Sequence, residues 1–244
     1  MRRAIVFADA AVRPARKGEA MRTPARILLI VSIATGAFYV AGFVALGSAL
    51  PTIDSSGQAI VDWFSEHGTR ARIYSWTAAF VSLGLAIFGG QVAALLPRPH
   101  RYIFLAGVLG FAITAQVPAW IWAGLAFHPQ QLDPGAARTL FDIAAFWGPL
   151  VNGSTTAMAV AVAALGFGTE PAVPRWLAWL SVILFLEQAV ETVTVFGHSG
   201  FIAPGGAMNV YLGGVLGFLW AGALVRWALQ RIDATGSDVY TDGA

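Results

Sequence analysis

Six long apolar stretches set the pattern of this chain: Ile27 to Leu50, Ile73 to Leu96, Tyr102 to Phe127, Leu140 to Phe167, Trp176 to Phe196 and Met208 to Leu229. Each is long enough to cross a hydrocarbon layer of about 30 Å, which takes about 20 helical residues. Pro51, Pro97, Pro129, Pro171, Pro174 and Pro204 fall between them. Backbone groups in lipid must be bonded internally, and no stretch shows the short alternation of a barrel strand, so the pattern predicts transmembrane helices. The expected fold is all-α: a polytopic bundle of six transmembrane helices, with a disordered basic cytoplasmic arm over 1–26, a membrane domain over 27–230 and a cytoplasmic tail over 231–244.

The polar positions refine this picture. Within the 51–72 loop, Ile60, Val61, Trp63 and Phe64 share a helical face opposite Asp62, Ser65, Glu66 and His67, which predicts a short amphipathic helix lying on the membrane or lidding the bundle. Pro118 and Pro149 interrupt the third and fourth segments, freeing the carbonyls of Thr114 and Ala145 and bending the helices there. Gly47-Ser48-Ala49 resembles a small-residue cleavage site, but the apolar run before it is longer than a signal core, so an uncleaved anchor is expected. Met21 offers an alternative start.

Composition agrees with the membrane reading: 57% of the 244 residues are hydrophobic and only 11% charged. Cysteine is absent, which excludes disulfides, thiolate metal sites and cysteine nucleophiles. Lys17 is the only lysine, so no buried lysine is available for Schiff-base chemistry. The basic residues sort by side. With the amino terminus inside, twelve (Arg2, Arg3, Arg13, Arg16, Lys17, Arg22, Arg26, Arg98, Arg101, Arg175, Arg226 and Arg231) fall on the cytoplasmic side, and three (Arg70, Arg72 and Arg138) on the other. That bias places both termini in the cytoplasm of a multi-pass protein of the cell membrane, and it explains the basic charge without nucleic acid.

The chemistry lies in the fifth segment. Glu187 and Glu191 are four residues apart and are followed at helical spacing by Thr194 and His198, so a polar stripe runs along one face. A carboxylate at the centre of a bilayer costs about 2.5–3.5 kcal/mol on insertion scales. Two of them require an interior partner or a watery cavity. A carboxyl out of water beside a second one is suited to hold or pass a proton, which makes Glu187 and Glu191 candidate general acids or relays, with Asp142 as a second acid or base. The alternative is structural: carboxyls hydrogen-bonded to Gln188, Asn152 or Asn209 as interhelical glue. Depth places Asn152, Asn209 and His198 with Trp120, Trp122 and Trp147 in the outer half, predicting an acidic, aromatic-lined pocket that takes a lipophilic substrate. No clustered metal-ligand motif, P-loop or aspartate-rich diphosphate motif occurs, so neither metal nor cofactor is expected. Gly213, Gly217 and Ala221 form a small-residue face suited to close packing, within the bundle or between copies in a homo-oligomer.

The run Pro174-Arg175-Trp176-Leu177-Ala178-Trp179-Leu180 and the short six-helix plan resemble small polytopic membrane proteins of actinobacteria to which no function is assigned. Size, helix count and intramembrane carboxyls also resemble the integral-membrane terpene cyclases. That resemblance implies an enzyme in which Glu187 or Glu191 protonates an isoprenoid, Asp142 assists, and Trp120, Trp122 and Trp147 shelter the carbocation. Two other classes compete with it: a proton-coupled solute transporter or channel using the same stripe, and a structural or partner-binding membrane protein using the glycine face.

Overall fold

The computed structural model describes residues 17–47 and 50–238. Most of the expected arm, Ser48-Ala49 of the cleavage-like triplet, and the end of the tail lie outside them. Among the described residues all regular structure is helical, and six runs are long and apolar enough to cross a membrane: Pro24–Ala45, Gly57–Ala94, His100–Leu125, Pro134–Gly166, Arg175–Phe196 and Met208–Ala234. The protein is therefore an all-α multi-pass membrane protein.

The first run belongs to α1 (Lys17–Ala45), which starts inside the region expected as an unstructured arm, so residues 17–26 are helical. The second holds α2 (Gly57–Ala78) and α3 (Val81–Ala94), the third α4 (His100–Thr114) and α5 (Gln116–Leu125), and the fourth α6 (Pro134–Ala145) and α7 (Trp147–Ala163). The fifth is α8 (Arg175–Glu191), continued by a tighter 3-10 turn over Thr192–Phe196. The sixth opens with a π-helical turn, Met208–Gly213, and continues as α9 (Gly214–Asp238).

Two of the interruptions have a cause in the sequence. Pro118 and Pro149 lack the N–H that would bond Thr114 and Ala145, and the helices break just there, at Ala115 and Phe146. The α2–α3 break at Ala79–Phe80 contains no proline; the Gln116 amide donates to the Ala78 carbonyl at 2.9 Å. The Ser75 hydroxyl similarly donates to the Ala119 carbonyl at 2.9 Å. These bonds tie the two breaks to one depth.

Packing divides the chain into a bundle and a cap. The bundle forms a ring in which α1 packs on α3, α3 on α4, α4 on α7, α7 on α8, and α8 and α1 on α9. Its core includes Phe88, Phe104, Leu177, Leu184, Trp220 and Trp227. Trp220 is satisfied in that apolar setting by donating its indole N–H to Ser181 Oγ at 2.8 Å.

The cap is built on a second core, with Ile60, Trp63, Phe64, Tyr74, Leu125 and Phe141 at its centre and Trp122 packed against it. The Gly57–Ala94 run has 38 residues, well beyond the about 20 that cross hydrocarbon, and its charged residues all precede Ile73, so the start of α2 is expected to project past the membrane. This corrects the expected length of the amphipathic helix. Ile60, Val61, Trp63 and Phe64 do face inward together, but they belong to the extension of a transmembrane helix, where they meet α5 and α6. Ser56 and Asp133 cap the two cap helices, accepting from Ala59 N at 3.2 Å and Ala136 N at 2.9 Å.

Candidate functional site

Helix α8 reaches Glu191 and then tightens, so the last regular turn presents Glu187, Gln188 and Glu191 toward α7 and the π-helical turn. Gln188 joins the two acids: its Nε2 donates to Glu187 Oε2 and to Glu191 Oε2, each at 2.8 Å. Its carbonyl oxygen accepts from the Thr155 hydroxyl on α7. Asn209, on the π-helical turn, donates from Nδ2 to Glu191 Oε1 and also to Thr194 Oγ1 at 3.3 Å. Its own carbonyl oxygen accepts from Gly205 N at 3.1 Å, which fixes the amide's orientation.

This cluster is interior. Glu191 is 2% exposed, Asn152 1% and Thr194 fully buried. Asn152 lies beside Glu191 and interacts with it, although its Nδ2 makes no hydrogen bond of ordinary geometry. Glu187 is half-buried, and its Oε1 is shut away from solvent without a hydrogen-bond partner. Neither glutamate pairs with a cation among the described residues, whose ion pairs are Arg26–Asp233, His67–Glu66 and Arg138–Asp142. The groups around the acids are amide N–H donors. Such donors suit carboxylate oxygens, whereas a metal ion would need converging oxygens. No metal-holding group of three His, Cys, Asp or Glu occurs among the described residues.

Two glycines let the elements approach this closely. A Cβ on Gly213 would fall 2.3 Å from Glu191 Oε2 and 3.0 Å from Gln188 Nε2. One on Gly148 would fall 2.9 Å from Asn209 Cγ. Gly213 of the expected oligomerisation face thus lies buried against Glu191, inside the bundle. Gly217 has open space at its Cβ position, and Ala221 packs on the bundle core.

The remaining candidates lie elsewhere. Asp142 is bound by Arg138 Nε, at 2.9 and 3.0 Å to its two oxygens, and Arg138 also donates to the carbonyls of Ile53 and Ser55. This i,i+4 pair pins the 51–56 loop to the cap and keeps Asp142 out of the glutamate cluster. His198 is exposed in the loop after α8. Trp120 is 66% exposed on the membrane-facing surface, whereas Trp122 packs edge-on against Trp63, Phe64 and Tyr74 in the cap. Trp147 stands beside Gly148 in the chain, with its ring against Phe111 on α4. The expected aromatic pocket around the carboxyls is therefore not assembled: the three tryptophans go to three surroundings. A groove of about 340 Å³ between α3, α4 and α5 is lined by Trp120, Gln116, Ser82 and apolar side chains, and contains neither glutamate. The participants that sequence reasoning missed are Thr155 and Gly148; for Gly213 it had offered packing within the bundle as one of two alternatives, and that is the one found. The polar run Ser154-Thr155-Thr156 after Asn152 was the available signal for the first.

Searches with the sequence and with the structure find no matching protein family, no matching curated protein and no matching solved structure. Fold and site together define the class: a polytopic helical membrane bundle with a carboxyl–amide cluster in its interior.

Proposed function

We propose that the cluster is a proton-binding site and that the protein is a proton-coupled carrier of small solutes. The observation that supports this best is the Gln188 amide shared between buried Glu191 and half-buried Glu187, with no cation paired to either among the described residues. Two negative charges this close in low dielectric would repel each other, and a single proton taken up from water removes that repulsion, the remaining charge being held by the amide donors. Interrupted helices around the site add to the reading, because broken spans and π-turns are common where membrane proteins bind and move ions. Glu191, held by Asn209 and Gln188, stores the proton; Glu187, the less buried of the two, exchanges it.

The test is uptake of labelled amino acids, sugars and organic acids into proteoliposomes under an imposed pH gradient. Glu191→Gln should reduce gradient-driven uptake to the level seen with a protonophore, and Glu187→Gln should slow it. Equal uptake by wild type and the double Gln variant would remove the assignment.

A second reading keeps the same carboxyls as acids in protonation-initiated cyclisation of an isoprenoid. It draws support from the 340 Å³ apolar groove, which has room for a lipophilic chain beside Trp120. It ranks second because that groove does not reach Glu187 or Glu191. Turnover of a polyprenyl substrate that disappears in Glu191→Gln would reverse the order.

A further inference from the structure

A second, polar cleft lies in the cap and plays no part in the glutamate cluster. It has a volume of about 220 Å³, and its walls include Ser65, Glu66, Thr69 and Arg72 from α2 with Phe127 and Gln130 from the turn after α5. Its depth is defined by the sequence of α2. The polar half of that helix ends at Arg72, and the apolar stretch begins at Ile73, so the Arg72 end of the cleft sits at the boundary between hydrocarbon and water.

The Arg72 guanidinium has no carboxylate partner among the described residues and reaches only Thr69 Oγ1, at 3.5 Å. Glu66 has no closer partner than His67 Nδ1 at 4.0 Å. The cleft thus offers one cation and one anion, with hydroxyl and amide donors between them. Glu66 stands six residues farther from the membrane than Arg72, about 9 Å along the helix. The order from hydrocarbon outward is guanidinium, hydroxyl, carboxylate.

Below the cleft the same face of α2 changes character. Thr69, Ile73 and Trp76 follow one another at helical spacing, Phe80 stands at the break just past α2, and Ile73, Trp76 and Phe80 are exposed and apolar. Phe38 of α1 stacks edge-on against Trp76 and Phe80, with centroids 5.0 and 5.7 Å away, and extends this apolar strip.

We infer that the cleft binds the headgroup of a phospholipid carrying a primary ammonium, with the acyl chains lying along Ile73, Trp76 and Phe80. The phosphate of such a lipid is joined to the glycerol and lies nearest the hydrocarbon, where Arg72 stands. The ammonium lies farther out, toward Glu66. A free zwitterionic solute has no reason to adopt that order and nothing to place on the strip beneath.

The test is native mass spectrometry of the delipidated full chain in detergent, titrated with phosphatidylethanolamine, phosphatidylglycerol, free phosphoethanolamine and inorganic phosphate. Phosphatidylethanolamine should bind about tenfold more tightly than phosphatidylglycerol, and the two free compounds should bind far more weakly than either lipid. Arg72→Gln should weaken both lipids. Glu66→Gln alters a side chain exposed at the cap surface and should abolish the preference while leaving phosphatidylglycerol binding intact. Equal binding of the two lipids by the wild type, or phosphatidylethanolamine binding unchanged in Arg72→Gln, would overturn the inference. Phosphoethanolamine binding as tightly as the lipid would also overturn it, by making the cleft a solute site.

Discussion

At the residue scale, the arrangement around Glu191 depends on missing atoms as much as on present ones. Replacing the hydrogen of Gly213 with a methyl group puts carbon inside the contact distance of a carboxylate oxygen and an amide nitrogen, both buried. The helices cannot relax apart without opening the hydrogen bonds of Gln188 and Asn209. Gly213→Ala is therefore expected to destabilise the protein by about 1–3 kcal/mol, the usual range for overpacking, and Gly148→Ala to behave similarly by displacing Asn209. Gly217→Ala, where a methyl meets open space, should be neutral or slightly stabilising through helix propensity. Thermal unfolding of the three variants in detergent separates these outcomes. A Gly213→Ala protein as stable as wild type would show that the carboxyl cluster is looser than described.

At the element scale, the cap helices are held to each other by cores and caps, and the 51–56 loop is held chiefly by one side chain. Arg138 binds Asp142 and two loop carbonyls at once, a fork matched to the planar guanidinium. Arg138→Ala should cost about 1 kcal/mol, a modest figure because the pair is partly exposed and screened. Its larger effect should be local: faster protease cleavage between Pro51 and Ser56, with the transmembrane runs still protected. Arg138→Lys should not restore the protection, since an ammonium cannot make the parallel bonds. Uniform cleavage rates across wild type and both variants would remove Arg138 as the tether.

At the scale of the whole molecule, Arg26 of α1 pairs with Asp233 of α9 at one end of the bundle, and Leu46, just past the other end of α1, packs into the cap. The positive bias read from the sequence predicts that the cap lies outside the membrane. The native chain has no cysteine, so single cysteines report topology cleanly. Cysteine at Asp62 or Thr139 should react with a membrane-impermeant maleimide in intact cells, and cysteine at Gly168 only after permeabilisation. The opposite pattern would invert the protein, and with it the leaflet that supplies the lipid for the Arg72 cleft.

Much of this architecture was legible because a twenty-residue apolar run has few fates in water or lipid, and each of the six was continuous. Pro118 and Pro149 located two helix breaks, since a missing N–H acts within four residues. The Glu187–Glu191 spacing likewise placed both acids on one face, a property of the helix alone. What α8 faced was not local. Asn209 meets Glu191 from eighteen residues away, across a loop and through a π-helical turn that carries no sequence mark. Trp120 and Trp122, two residues apart on α5, must point to different sides of that helix, but only the position of α2 decides that Trp122 turns into the cap and Trp120 out to lipid. Asp142 shows the same division: its helical spacing from Arg138 allowed their pairing, and the path of the 51–56 loop made Arg138 a tether that keeps the acid out of the bundle. Local periodicity thus determined the helices and their polar faces, because those depend on neighbours a turn apart. Which faces meet, and therefore which amides reach the two acids, was decided by packing between elements distant in the chain.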